Sequence, residues 1–210
     1  MSEPAVTITG MAEPDVDFPQ YVYVPWVDGE PHSARASEAR EIASALASKK
    51  RIPLVGVGAT KNQLPDDWGS LPYRTLKSRH GSSHGSAVEI HFWPMLDTLA
   101  AMPPHGTHAF VLEWGSDDLS GWARHNHAVH FDTKQTLEPS LSSDALELYG
   151  RIDWNGNNGW HDAPGKRDAL HDLRKLREMG ELDPADLGGY MIGRHSNRAI
   201  RQLIELAKRA

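Results

Sequence analysis

The stretch AVEIHFWPMLDTLAAMPPHGTHAFVLEW, residues 87–114, decides the fold. Val88, Ile90 and Phe92 alternate with Glu89 and His91, the period-two pattern of a strand with one buried face, and Pro94 ends it. Leu96, Leu99 and Ala100 then share one side of a helix of about two turns that stops at Pro103-Pro104. A second strand, His108 to Trp114, follows. Strand, helix, strand in so short a length is the rhythm of a crossover unit, and it predicts an α/β fold with a mostly parallel sheet flanked by helices.

The same rhythm extends outward from this stretch. Upstream, Ile52 to Val57 is an apolar run that ends in Gly56-Val57-Gly58, which reads as a buried strand entering a turn. Before it, Ala39, Ile42, Ala43 and Leu46 recur at helical spacing after Ser37, the expected N-cap, and Lys49, Lys50 and Arg51 suit the negative end of the helix dipole. Tyr21 to Val24, stopped by Pro25, reads as an edge strand. Downstream, Asp117 or Asp118 caps a helix through Trp122, and Ala128 to Phe131 is a further strand. Residues 60–86 read as a long polar loop, and residues 1–20 as a loosely tied tail.

The turn-rich segment Asp153 to Gly165 marks a linker over 153–165, which divides a 21–152 α/β domain from a helical module over 166–210. In that module Leu170, Leu173, Leu176 and Met179 form one stripe ending at Gly180. Asp183-Pro184 starts a second helix, and Ser196 caps a third in which Ala199, Ile200, Leu203, Ile204 and Ala207 line one face. The tight turn Gly193-Arg194-His195 between them fits a helix-turn-helix. In such a unit Arg194, Asn197, Arg198 and Arg201 would meet DNA or RNA.

Composition narrows the remaining functions. The chain has no cysteine, which removes disulfides, thiolate catalysis and iron–sulfur ligation and agrees with a cytoplasmic location. No apolar run approaches the roughly 20 residues of a membrane-spanning helix, so no membrane partner is expected. The net charge of −6 is uneven: residues 160–210 hold 10 basic against 8 acidic side chains, and residues 1–159 hold 12 against 20. Only the tail suits an anionic polymer.

Three candidate sites follow. One is the set at the carboxyl ends of the strands, where parallel sheets bind ligands: Gly58, Thr60 and Lys61, then Trp93, then Trp114 and Asp117, with Glu113 as a general base and His80 and His84 on a polar lid. Neither GxGxxG nor GxxxxGK[ST] occurs, so no cofactor is assigned. The second is a metal set drawn from the 12 histidines, with His127, His130 and Asp132 as ligands for a metal-assisted hydrolase. The third is the nucleic-acid face of the C-terminal helices. The favoured reading is a binding protein that joins an α/β crevice to a nucleic-acid-contacting module; a hydrolase, or an oligomeric assembly subunit that buries the tail stripes against another chain, are the alternatives.

Overall fold

Among the described residues the extended runs form six strands: β1 (Tyr21–Val24), β2 (Leu54–Gly58), β3 (Tyr73–Thr75), β4 (Val88–Phe92), β5 (His108–Leu112) and β6 (Val129–His130). They make one sheet in the order β3-β2-β4-β5-β1-β6, and every pairing in it is parallel. Seven α-helices lie among the described residues: α1 (His32–Lys50), α2 (Leu96–Ala101), α3 (Ser120–His125), α4 (Ser143–Asn155), α5 (Ala163–Glu178), α6 (Pro184–Met191) and α7 (Asn197–Arg209). The computed structural model describes residues 18–63, 68, 70–78, 86–115, 117–157, 159–161 and 163–210. No helix among the described residues is long and apolar enough to cross a membrane.

Pleat alternation sorts the strand side chains into two cores. Val22, Val24, Val88, Ile90, Phe92, Phe110 and Leu112 meet Ala36, Ala39, Ala43 and Leu46 of α1 on one face. The run of small alanines lets α1 lie close to the sheet. Arg51 ends it in the left-handed region (φ 56°), donating its amide to Ser48 and Ala47. The helix starts at His32 behind Pro31, one and a half turns before the expected Ser37 cap, because proline supplies the extended N-cap backbone.

The opposite face of the sheet is covered by helices from the second half of the chain. Tyr23 and Val111 of the sheet share one continuous core with Trp122 of α3, Tyr149 and Ile152 of α4, Leu173 and Leu176 of α5, and Ile200 and Leu203 of α7. Leu173 and Leu176 of the first stripe, and Ala199, Ile200, Leu203 and Ala207 of the last, are therefore buried within the chain itself, while Met179 stays 40 % exposed. Helix α4 runs through the 153 boundary to Asn155, and α5 begins at Ala163, so much of the expected linker is helical. The physical reason is that the sheet face needs a cover, and α2 and α3 are each only six residues long.

Glycines set how closely that cover approaches. A Cβ on Gly189 of α6 would lie 2.3 Å from the Trp122 backbone nitrogen, and one on Gly121 would lie 2.6 Å from the Asp186 Cα. Of the pair Gly188-Gly189, which in sequence only weakens a helix, Gly189 lets α6 and α3 touch backbone to backbone, and Gly188 makes room for the side chains of Ile204 and Leu96. The contact is locked by Asp186, which accepts from Arg124 (Nη2, 2.7 Å), His125 (Nε2, 2.8 Å) and the Tyr149 hydroxyl (3.3 Å).

Two further differences concern the 60–86 segment and β4. Tyr73–Thr75 forms a short edge strand in what reads as loop. All five residues of β4 are buried, so the alternation of Glu89 and His91 does not mark a solvent face.

Candidate ligand site at the carboxyl rim of the sheet

Neighbouring strands β1 and β5 send the chain to opposite faces. From β1 it passes into α1, which packs against one core, and from β5 into α3, which packs against the other. The carboxyl ends of such a strand pair leave a crevice, the usual ligand position in an open parallel sheet.

Four aromatic rings converge there. Trp26, just beyond β1, stacks on His32 with ring centres 3.3 Å apart and meets Trp114, just beyond β5, at 5.1 Å. Trp114 also touches His32 at 5.1 Å and Trp93, just beyond β4, at 5.6 Å. Trp93 holds a left-handed backbone (φ 47°), an uncommon state for a bulky residue that costs free energy and is held by its surroundings. Trp114 remains 38 % exposed, so the cluster presents an open aromatic face. The sequence reading found Trp93 and Trp114 but missed Trp26 and His32. The signal for Trp26 was available, because it follows Pro25 at a strand end as Trp93 follows Phe92.

Glu113 does not stand free as a base. One carboxylate oxygen accepts the Trp26 amide at 2.9 Å and the other the Leu119 amide at 2.8 Å, which ties the end of β1 to the start of α3. The Tyr23 hydroxyl also reaches Glu113, and burial together with that carboxylate pushes the phenol pKa far up. Asp117 accepts the Leu96 amide at 2.8 Å and so serves the start of α2. Glu113 and Asp117 thus shape the rim.

The β2 end of the rim is filled. A Cβ on Gly58 would lie 2.1 Å from the Tyr73 hydroxyl, which crosses above it to donate to the Thr60 carbonyl at 2.6 Å. The Thr60 amide donates to Gln63 Oε1 at 3.3 Å. Lys61 opens a one-turn 3-10 helix, Lys61–Gln63. Glycine is required at 58 by a phenol, and the adjoining amide is spent within the turn. His80 and His84 lie outside the described residues.

Of the expected metal ligands, His130 Nδ1 and the Asp132 carboxylate lie 3.9 Å apart, whereas His127 is engaged elsewhere. His127 pairs with Glu138 at 2.7 Å on an exposed turn. His130 Nδ1 accepts the Asp132 amide at 3.2 Å, and the Asp132 carboxylate pairs with Arg35 at 3.0 Å. Among the described residues no group of three or more histidine, cysteine or acidic side chains is placed to hold a metal ion.

A buried charge cluster lies on the sheet face where sequence reading placed solvent. Glu89, 1 % exposed, accepts from Arg74 Nη2 at 2.7 Å, His91 Nε2 at 2.9 Å and the His105 amide at 3.1 Å. Burial alone would raise the Glu89 pKa, but the His91 hydrogen bond and the Arg74 charge outweigh it and hold the carboxyl at about 2. Burial lowers the His91 pKa, against the opposing pull of the Glu89 hydrogen bond and charge. Both groups are closed off from solvent, and the cluster binds edge strand β3 across β2 to β4.

The four C-terminal residues expected to meet nucleic acid divide. Arg201 is engaged by Asp97 of α2. Arg194 pairs with Asp153 at 3.2 Å and lies over the Tyr190 ring at 4.5 Å. Asn197 is half-buried, with no partner for its Oδ1 among the described residues. Arg198 is exposed and has no ion pair among the described residues. It lines, with Arg194, His161, Gln202 and the cap residue Ser196, a cleft of about 440 Å³ at the start of α7.

Compared with models of known protein families, with curated proteins and with solved structures, the chain matches none.

Proposed function

We propose that the protein is a binding protein that takes a small planar ligand at the carboxyl rim, on the aromatic face of Trp26, His32, Trp93 and Trp114. The convergence of those four rings at the β1/β5 crevice carries the reading. Stacking on such a face contributes about 1–3 kcal/mol per ring contact and tolerates varied ring chemistry. Titration of tryptophan emission with a panel of nucleosides, free aromatic amino acids and flavin mononucleotide tests it. Saturable quenching by at least one compound is expected, with affinity reduced about tenfold or more in Trp114→Ala. No saturable response, or equal affinity in that variant, refutes the reading.

A second reading concerns the C-terminal face, and the cleft at the start of α7 favours it: a phosphate-bearing polymer, DNA or RNA, would meet Arg198 there. The intramolecular pairing of Arg201 with Asp97 makes the reading specific. Arg198→Ala should weaken oligonucleotide binding and reduce its salt slope by about 1, whereas Arg201→Ala should leave the slope unchanged. Absence of binding at low salt refutes it.

A further inference from the structure

Trp154 is the most exposed large apolar side chain among the described residues, at 76 %. It sits near the end of α4, on the side turned away from the core that takes up Ala145, Leu148, Tyr149 and Ile152. Leu146, 37 % exposed, lies eight residues before it, with Gly150 midway. The three residues are spaced by four, so they form one ridge of the helix surface, the kind of ridge by which helices interlock.

Gly150 has no internal explanation. Glycine in a helix interior is less favourable than alanine, yet a Cβ at 150 would meet nothing within 4 Å. The close approaches that require Gly121 and Gly189 are absent here. What glycine does provide is a notch: Glu147, Gly150, Arg151, Trp154 and Asn155 border a hollow of about 550 Å³ on the outer surface. A large knob stands beside a hole on the same ridge.

We propose that this face seats a second copy of the chain, with the two α4 helices packed antiparallel about a twofold axis that crosses near Gly150. Reversal of one helix sets each Trp154 against the partner's Leu146 and lets the backbones approach at the glycines. The same surface is used twice, as a twofold interface demands. Charge supports this occupant. Glu147 and Arg151 lie one turn apart, and antiparallel packing carries each Glu147 beside the partner's Arg151, so two opposite-charge contacts flank the apolar centre. Arg151 is already oriented by buried Asp172 at 2.8 Å, so little side-chain freedom is lost on docking. The surface shares no lining residue with the aromatic rim or the α7 cleft, and the inference stands apart from the function proposed above.

Analytical ultracentrifugation of the full chain, across concentrations up to about 100 μM, tests the proposal, with the melting temperature measured over the same range. A reversible dimer is expected. Gly150→Leu should weaken it tenfold or more while leaving the melting temperature of the monomer unchanged or raised, since the new side chain enters open space and favours helix. Trp154→Ala and Glu147→Arg should weaken the dimer as well, the latter by setting like charges together. A monomer at every concentration overturns the proposal, as does a dimer whose dissociation constant is the same in Gly150→Leu and Trp154→Ala as in the parent.

Discussion

Removal of the Asp186 carboxylate should destabilise sheet and C-terminal helices together. Asp186 is buried, with 5 % of its surface exposed, and it accepts hydrogen bonds from Arg124, His125 and Tyr149 on two other helices. Truncating one member of a buried ion pair costs about 3–5 kcal/mol. Arg124 is partly exposed and can rehydrate, whereas His125 is buried and cannot, so the lower end, about 3 kcal/mol, is expected for Asp186→Ala. For a chain of this size that is a fall of about 6–12 °C in melting temperature. Burial raises the Asp186 pKa, but the His125 and Arg124 hydrogen bonds outweigh it and the net shift is downward. A carboxyl whose pKa is depressed by folding contributes its stability above the unfolded value of about 3.9 and loses it as pH falls through the folded value. The gap between parent and variant should therefore be full at neutral pH and shrink progressively below about pH 4. Urea unfolding, followed by tryptophan emission and by amide hydrogen exchange of α6 and α7, measures both. A loss under about 1 kcal/mol, or an early transition confined to α6 and α7 with the sheet intact, would show that the helices form a separate module and refute the argument.

Other consequences can be checked in the same way. Glu89→Gln should cost about 3 kcal/mol at neutral pH, from a carboxyl held at about 2 against an unfolded value near 4.3; the parent should lose this margin as pH falls from about 4 towards 2, and equal stabilities at neutral pH would contradict the cluster. Gly58→Ala should cost about 1–3 kcal/mol through the clash with the Tyr73 hydroxyl. Adding Tyr73→Phe should recover much of that loss, and a double variant no better than the single would place the strain elsewhere. Trp114→Ala, by contrast, should leave the melting temperature within a few degrees of the parent, because its side chain is partly in water.

The alternation over 87–114 was enough to identify β4, α2 and β5, since burial on the pleat and on a helix stripe leaves distinct spacings. The caps of α6 and α7, Asp183 and Ser196, were equally legible because capping is local chemistry. What escaped the sequence depends on distant partners. Glu89 and His91 read as a solvent face because their compensating cation, Arg74, comes from another strand. Gly188-Gly189 read as a weakness because what they admit comes from other elements, the α3 backbone at Gly189 and the Ile204 and Leu96 side chains at Gly188. The expected metal ligands and Glu113 illustrate the converse: residue types suited to chemistry were adjacent in sequence, but backbone amides and neighbouring ions had already claimed them. Three of the rim's rings, Trp26, Trp93 and Trp114, stand at strand ends legible in the sequence, whereas the place of His32 needed β1 to lie beside β5.

That placement of β1 bears on how the chain matures. Strand β1 aligns with a partner that emerges much later from the ribosome, Tyr21 beside Ala109. At ordinary rates of translation it waits on the order of ten seconds before its neighbour exists. During that interval Tyr21 to Val24 is an unpaired apolar segment, and helper proteins that shield nascent strands should have their greatest effect on yield before residue 112 is made.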